Sequence, residues 1–126
     1  MSRRLPRAVA ASIDAGGIMG IRAGDRSDHR FTGVWPIVVA GRVFARSWTE
    51  KPDGWYRAFL EDPRGVIQTM SKRRIRIKAV PVKSKALRDA IERGYAEKYA
   101  TKASQKYVRG FRTPRRRDTT TEFIPR

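Results

Sequence analysis

Apolar positions in this chain fall into two rhythms, and their alternation lays out the elements. Gly17-Ile18-Met19-Gly20-Ile21-Arg22 reads as a first strand, followed by a polar loop from Ala23 to Thr32. Val34 to Val39 is almost wholly apolar, the mark of a strand buried on both faces or at a dimer seam, with Pro36 signalling an edge or a bulge. Ala40-Gly41 predicts a tight hairpin turn into a strand over Arg42 to Trp48. Alternation there puts Val43, Ala45 and Ser47 on one face and Phe44, Arg46 and Trp48 on the other.

The period then changes. Lys51 to Asp62 predicts a loop and a short helix with Trp55, Tyr56, Phe59 and Leu60 as its apolar stripe, closed by Pro63. Gly65 to Ser71 and Arg74 to Val82 predict a second hairpin turning at Lys72-Arg73. In its second strand Ile75, Ile77 and Ala79 alternate with Arg74, Arg76 and Lys78, one buried face and one basic face. Ser84 is a good N-cap for a helix to about Tyr99, with Leu87, Ile91, Tyr95 and Tyr99 in four-residue steps. A short helical turn follows near Ser104 to Val108, then a basic linker from Arg112 to Arg117 and a last strand from Thr119 to Ile124.

This order predicts an α+β protein, mainly β: a small split β-barrel of about six strands. A short helix follows the third strand and a longer one precedes the last. Residues 1–16 read as a flexible basic arm and 17–126 as one domain. Ser2-Arg3-Arg4 only faintly resembles a twin-arginine signal, and no run is long enough to span a bilayer, so a soluble cytoplasmic protein is expected.

Charge changes the picture more than length does. With 29 Lys+Arg against 12 Asp+Glu the formal charge is +17, which attracts phosphates, nucleic acid or an acidic cofactor tail. Non-specific nucleic-acid binding through Arg74, Arg76 and Lys78 is one expectation, though the sequence interleaves no aromatic residue with that basic face. The absence of cysteine excludes disulfides, thiolate metal sites and cysteine nucleophiles. A lone histidine, His29, in a polar loop is a poor start for a metal site, and no metal is expected. No triad or paired-carboxylate set stands out, so the catalytic residues are unknown and any redox chemistry must be a cofactor's.

The candidate site is the junction of Arg42-Val43-Phe44-Ala45-Arg46-Ser47-Trp48 with Gly54-Trp55-Tyr56-Arg57. Arginines, a serine and tryptophans meet there, at a strand end and a helix start where backbone N–H groups are unpaired. Other readings stand beside this one: Arg46 paired with Glu50, Ser47 satisfying a turn, and Trp55 as core. Three tryptophans and the Val34 to Val39 run are much apolar surface for a small barrel, and a homodimer is expected.

These pieces, with Val34-Trp35, the strand Arg74 to Val80, Tyr95, Lys98-Tyr99 and the ending Thr119-Thr120-Thr121-Glu122-Phe123-Ile124-Pro125-Arg126, resemble the uncharacterised bacterial family called domain of unknown function 2255. More broadly they resemble the flavin-binding split barrels, which include pyridoxamine phosphate oxidase-like enzymes and deazaflavin-dependent nitroreductases. The resemblance spans roughly residues 17 to 126. It implies a dimeric split barrel holding FMN or a deazaflavin and acting on a small organic acceptor. Arg46, Ser47, Trp48, Gly54, Trp55 and Arg57 would contact the cofactor, and Tyr99 and Tyr107 the substrate. The chain departs from the nitroreductases in lacking their Gly-Arg-Lys-Ser-Gly loop and in carrying Trp48 where they keep a small residue.

Overall fold

The computed structural model describes residues 4–24, 30–49 and 54–126. His29 and Glu50 lie outside them. Seven antiparallel strands form one sheet, a curled half-barrel in the order β2-β1-β5-β6-β7-β4-β3. Strand β1 is Met19–Ala23, β2 Thr32–Val34, β3 Ile37–Val39, β4 Arg42–Ala45, β5 Arg64–Gln68, β6 Arg74–Pro81 and β7 Thr121–Pro125.

The strand count exceeds the expected six because the Val34 to Val39 run is two strands, not one. Trp35 and Pro36 break it, proline having no N–H to give to a ladder. Strands β2 and β3, adjacent in sequence, stand at opposite ends of the sheet order. Three Cα steps separate Val34 from Ile37, a span of about 11 Å at most, so the two edges must approach each other and the sheet must curl. The turn between β3 and β4 has Ala40 at φ 53° and Gly41 at φ 75°, the left-handed pair a tight hairpin requires.

Helix α1, Arg7–Ala15, replaces the loose arm expected from the basic N-terminus. Alanines favour helix here, and Leu5, Val9, Ala10 and Ile13 are buried at helical spacing. Helix α2, Trp55–Glu61, buries Trp55 and Phe59 but leaves Leu60 half exposed, outside the stripe assigned to it from sequence. These two helices share one core with Met19, Ile21, Val43, Ala45, Ile67, Ile77, Ala79 and Phe123.

Helix α3, Lys85–Lys98, is capped by the Ser84 hydroxyl, which accepts from the Leu87 N–H at 3.2 Å. It covers the other face of β3 and β4, where Ile37, Phe44, Ile91, Tyr95, Tyr99, Val108 and Phe111 form a second core. Gly94 permits the close approach: a Cβ there would lie 2.8 Å from Ile37 Cγ1. The two cores cover both faces of β3 and β4, which explains the apolar character of Ile37–Val39 and of Val43 to Ala45. A 3-10 turn at Lys102–Ser104 leads into α4, Gln105–Gly110. The expected basic linker contains a helix, α5, Pro114–Arg117, with proline at the first helical position where its missing N–H costs nothing.

Two side chains of α3 and that of its C-cap residue, Tyr99, fasten the Trp35-Pro36 joint. Tyr95 donates to the Trp35 carbonyl at 2.7 Å and Tyr99 to the Pro36 carbonyl at 2.6 Å. Lys98 Nζ reaches the Pro36 and Ile13 carbonyls, both at 3.1 Å. Burial pushes both phenols well above the usual tyrosine range and draws the Lys98 ammonium down, opposed by Asp14. A phenol whose folded pKa exceeds its unfolded value of about 10 stabilises the fold only while both states stay protonated. That contribution is complete below about pH 10 and is lost as pH rises beyond it. In a Tyr56→Phe/Tyr107→Phe variant, only Tyr95 and Tyr99 of the four tyrosines remain. Their phenolate absorbance should appear together with loss of the near-ultraviolet circular dichroism, not before it.

Candidate functional site

Beyond β4 the chain leaves the sheet at Arg46, and what holds Arg46 decides the shape of everything nearby. Its residue is 1% exposed. Nε donates to Thr120 Oγ1 at 2.8 Å, Nη1 to the Phe111 carbonyl at 3.0 Å and Glu92 Oε1 at 3.3 Å, and Nη2 to the Arg88 carbonyl at 3.0 Å. Its backbone N–H donates to Tyr95 Oη, 3.1 Å away. Burial lowers the Arg46 pKa, with Glu92 as the strongest opposing influence. Sequence reasoning placed this guanidinium at a strand end, open to a phosphate. In the structure it joins α3, α4 and β7 to β4, and its N–H groups point at protein oxygens.

The threonines before β7 continue the same device. Thr119 and Thr120 hydroxyls donate to the carbonyls of Arg116 and Arg117 at the end of α5, at 2.6 and 2.5 Å. In turn Thr119 Oγ1 accepts from the Ser47 N–H and Thr120 Oγ1 from Arg46 Nε, each at 2.8 Å. Arg117 closes the frame with bonds of 2.6 Å to Asp89 and Glu92. Ser47 Oγ donates to the Thr49 carbonyl, as the turn reading of that serine expected.

Two hollows open on either side of this frame. One, of about 440 Å³, is walled by Trp35, Trp48, Trp55, Tyr107 and Phe111, with Thr32 to Val34, Arg46 and Thr49 completing it. The other, about 490 Å³, is lined by Ser47, Thr49, Gly54, Tyr56, Arg57, Arg115, Arg116, Asp118 and Thr119. They adjoin at Thr49, which lines both. The first is apolar and aromatic. In the second, three arginines stand against Asp118, itself bonded to Arg88 at 3.0 Å.

Trp48 stands at the edge of the first hollow. Its indole meets Tyr107 and Phe111 edge-on, with centroids 5.2 and 5.4 Å apart, and the Arg116 guanidinium lies 3.8 Å from its ring centroid. Gly110 makes the seat, since a Cβ there would come within 2.5 Å of the indole. Trp35 is stacked on Tyr99, with centroids 4.6 Å apart, so Tyr99 lies behind the wall and not on it.

The expected site residues are therefore divided. Ser47, Gly54 and Arg57 border the basic cleft, whereas Trp48, Trp55 and Tyr107 border the aromatic hollow. Sequence reasoning did not assign Trp35, Phe111, Arg115, Arg116 or Thr119 to the site. The Thr113-Pro114 helix-start signal was the readable clue to the arginines, because a helix there folds them back toward Ser47. Among the described residues no group of His, Asp and Glu is placed to hold a metal ion, and no helix is long and apolar enough to cross a membrane.

A family model described as an uncharacterized protein conserved in bacteria, DUF2255, matches residues 13–123. The chain belongs to that family. No curated protein sequence matches it. Among solved structures, the conserved hypothetical protein Rv2991 from Mycobacterium tuberculosis superposes with a TM-score of 0.58 at 13% identity, covering 96% of this chain and 79% of that one. A candidate pyridoxamine 5'-phosphate oxidase from Listeria innocua gives 0.58 at 9% identity, over 92% and 87%. At such identities the likeness is one of fold, and it agrees with the split-barrel architecture of this DUF2255 member.

The frame around Arg46 makes its own prediction. Arg46→Ala removes the side-chain donor from the Phe111 carbonyl and Thr120 Oγ1 and one partner from Glu92, and should cost about 3 kcal/mol of folding stability. Urea unfolding measures this, and a loss below about 1 kcal/mol, the net worth of one ordinary hydrogen bond, would refute the framework role.

Proposed function

We propose that this protein binds an anionic aromatic cofactor of the FMN class, with the ring in the aromatic hollow and the phosphate in the basic cleft. What supports this reading is the adjacency of the two hollows: an apolar, ring-lined cavity meets an arginine-lined one at Thr49. Volumes of this order suit small cofactors. Trp48, Trp55 and Trp35 offer ring surface, and Arg57 and Arg115 are the phosphate contacts in this reading. Ser47 and Gly54 shape the floor of the cleft, and Arg46 holds the floor in place. A bound flavin would supply the two-electron chemistry, making the protein an oxidoreductase for a small organic acceptor admitted beside Tyr107. Tyr99 would then act on that acceptor only through the position of Trp35.

The test is a titration monitored by tryptophan fluorescence with FMN, riboflavin and a deazaflavin. FMN should bind at least tenfold more tightly than riboflavin, which has no phosphate, because charge-assisted contacts contribute on the order of 1.5–3 kcal/mol. Arg57→Ala should shrink that preference while leaving riboflavin affinity nearly unchanged. No binding of any of the three at high micromolar concentration would sink the reading.

The mouth of the aromatic hollow also supports the expected homodimer. Ile18, Trp48 and Tyr107 are 56, 39 and 36% exposed, and Ile18 leans on Gly33, which lines the hollow. A second copy seated there would cover apolar surface and shelter a ring from water. Analytical ultracentrifugation should give a dimer for the protein and a monomer for Ile18→Asp. A monomer at all micromolar concentrations of the unaltered chain would overturn it.

A further inference from the structure

On the outer face of β1, β5 and β6, cations are arranged in rows. Arg22 shares a row with Val66 and Arg76, Gly20 with Gln68 and Arg74, and Arg64 with Lys78. Successive outward positions on β6 lie about 6.6 Å apart, so Arg74, Arg76 and Lys78 span about 13 Å along the strand. Arg64 and Lys78 stand directly opposite each other, a pairing of like charges that destabilises a sheet. Within this set of cations the described residues provide one ion pair, Asp62 with Arg64 at 3.0 Å.

Two further observations show that this is more than a solvated charged face. Arg22 is 7% exposed, yet its Nε has no hydrogen-bond partner. A buried guanidinium with an unpaired donor leaves its positive charge under-compensated, which raises the potential of the face above it. Phe31, supplied by the loop before β2, packs over Gly20 and lies under two guanidiniums, Arg22 at 4.6 Å and Arg74 at 5.1 Å from its ring centroid. The sequence placed no aromatic residue among these cations; the fold does. Phe31 holds two arginines side by side in a fixed orientation.

We propose that this face binds the sugar-phosphate backbone of nucleic acid without sequence preference, Arg22, Arg74, Arg76 and Lys78 contacting phosphates. A linear grid of cations fits an extended polyanion. None of Arg22, Arg74, Arg76 and Lys78 lines either hollow, so this inference does not rest on cofactor binding.

The experiment is fluorescence anisotropy with a labelled oligothymidine at several salt concentrations. The variant Arg74→Ala/Arg76→Ala/Lys78→Ala is compared with a charge-matched control, Lys83→Ala/Lys102→Ala/Arg109→Ala, all exposed positions away from the face. Three lost phosphate contacts should reduce the slope of log affinity against log salt by about 2 and weaken binding at least tenfold, with little change in the control. Circular dichroism of the face variant verifies that it is folded. Phe31→Ala, which leaves net charge untouched, should also weaken binding severalfold. Equal losses in the two triple variants would assign the binding to diffuse charge and overturn the proposal. So would absence of binding at low salt, or capture by phosphatidylglycerol vesicles without capture of the oligonucleotide.

Discussion

The arrangement of the whole molecule follows from the shortness of one connection. Two strands at opposite edges of a seven-stranded sheet are joined by only Trp35 and Pro36. A flat sheet cannot satisfy that connection, so the sheet curls until its edges meet. The meeting point exposes two carbonyls that neither strand uses, and the C-terminal end of α3 answers with Tyr95, Lys98 and the capping Tyr99. Tyr95 then does a second task. Its hydroxyl accepts from the Arg46 N–H while donating to Trp35, so the curl of the sheet and the exit of β4 are fixed by one phenol. Both hollows lie beside that exit.

Arg46 shows how far a side chain's partners can lie from its place along the chain. The junction after β4 was legible because charge, hydroxyl and aromatic residues concentrate there, and the hollows do flank it. What the arginine itself does was not legible. Its partners, Arg88, Glu92, Phe111 and Thr120, come from three later elements, and four of the five donors of a guanidinium can be filled by such distant oxygens. Long-range pairing leaves no trace in local spacing.

Where the sequence was legible, a single physical signal dominated. Alternation identified β6, four-residue steps and a serine cap identified α3, and Ala40-Gly41 identified a hairpin. Where it misled, composition masked the pattern. Basic residues at the N-terminus concealed that Leu5, Val9 and Ile13 share a helical face, and the arginines of 115–117 concealed the helix that Pro114 begins. The division of the Val34 to Val39 run rests on tertiary closure, which periodicity cannot register. Phe31 reached the basic face by a loop, so no reading of β6 alone could have found it.

Strand β7 lies between β6 and β4 and is the part that unites the sheet. On one side of it stand β2, β1, β5 and β6, and on the other β4 and β3, with no ladder between the two groups until residues 121–125 are in place. Without residues 121–125 each group has a bare edge, at β6 and at β4, and the chain links the two groups at the Trp35-Pro36 bend and again between β4 and β5. Final closure waits for the last strand to be synthesised, and with it the threonines that engage Arg46 and Ser47. Until then the exposed edges are open to pairing with other chains. The pairing of β7 with β4, Val43 opposite Phe123, is a contact of long sequence separation, the kind whose loop-closure entropy slows folding.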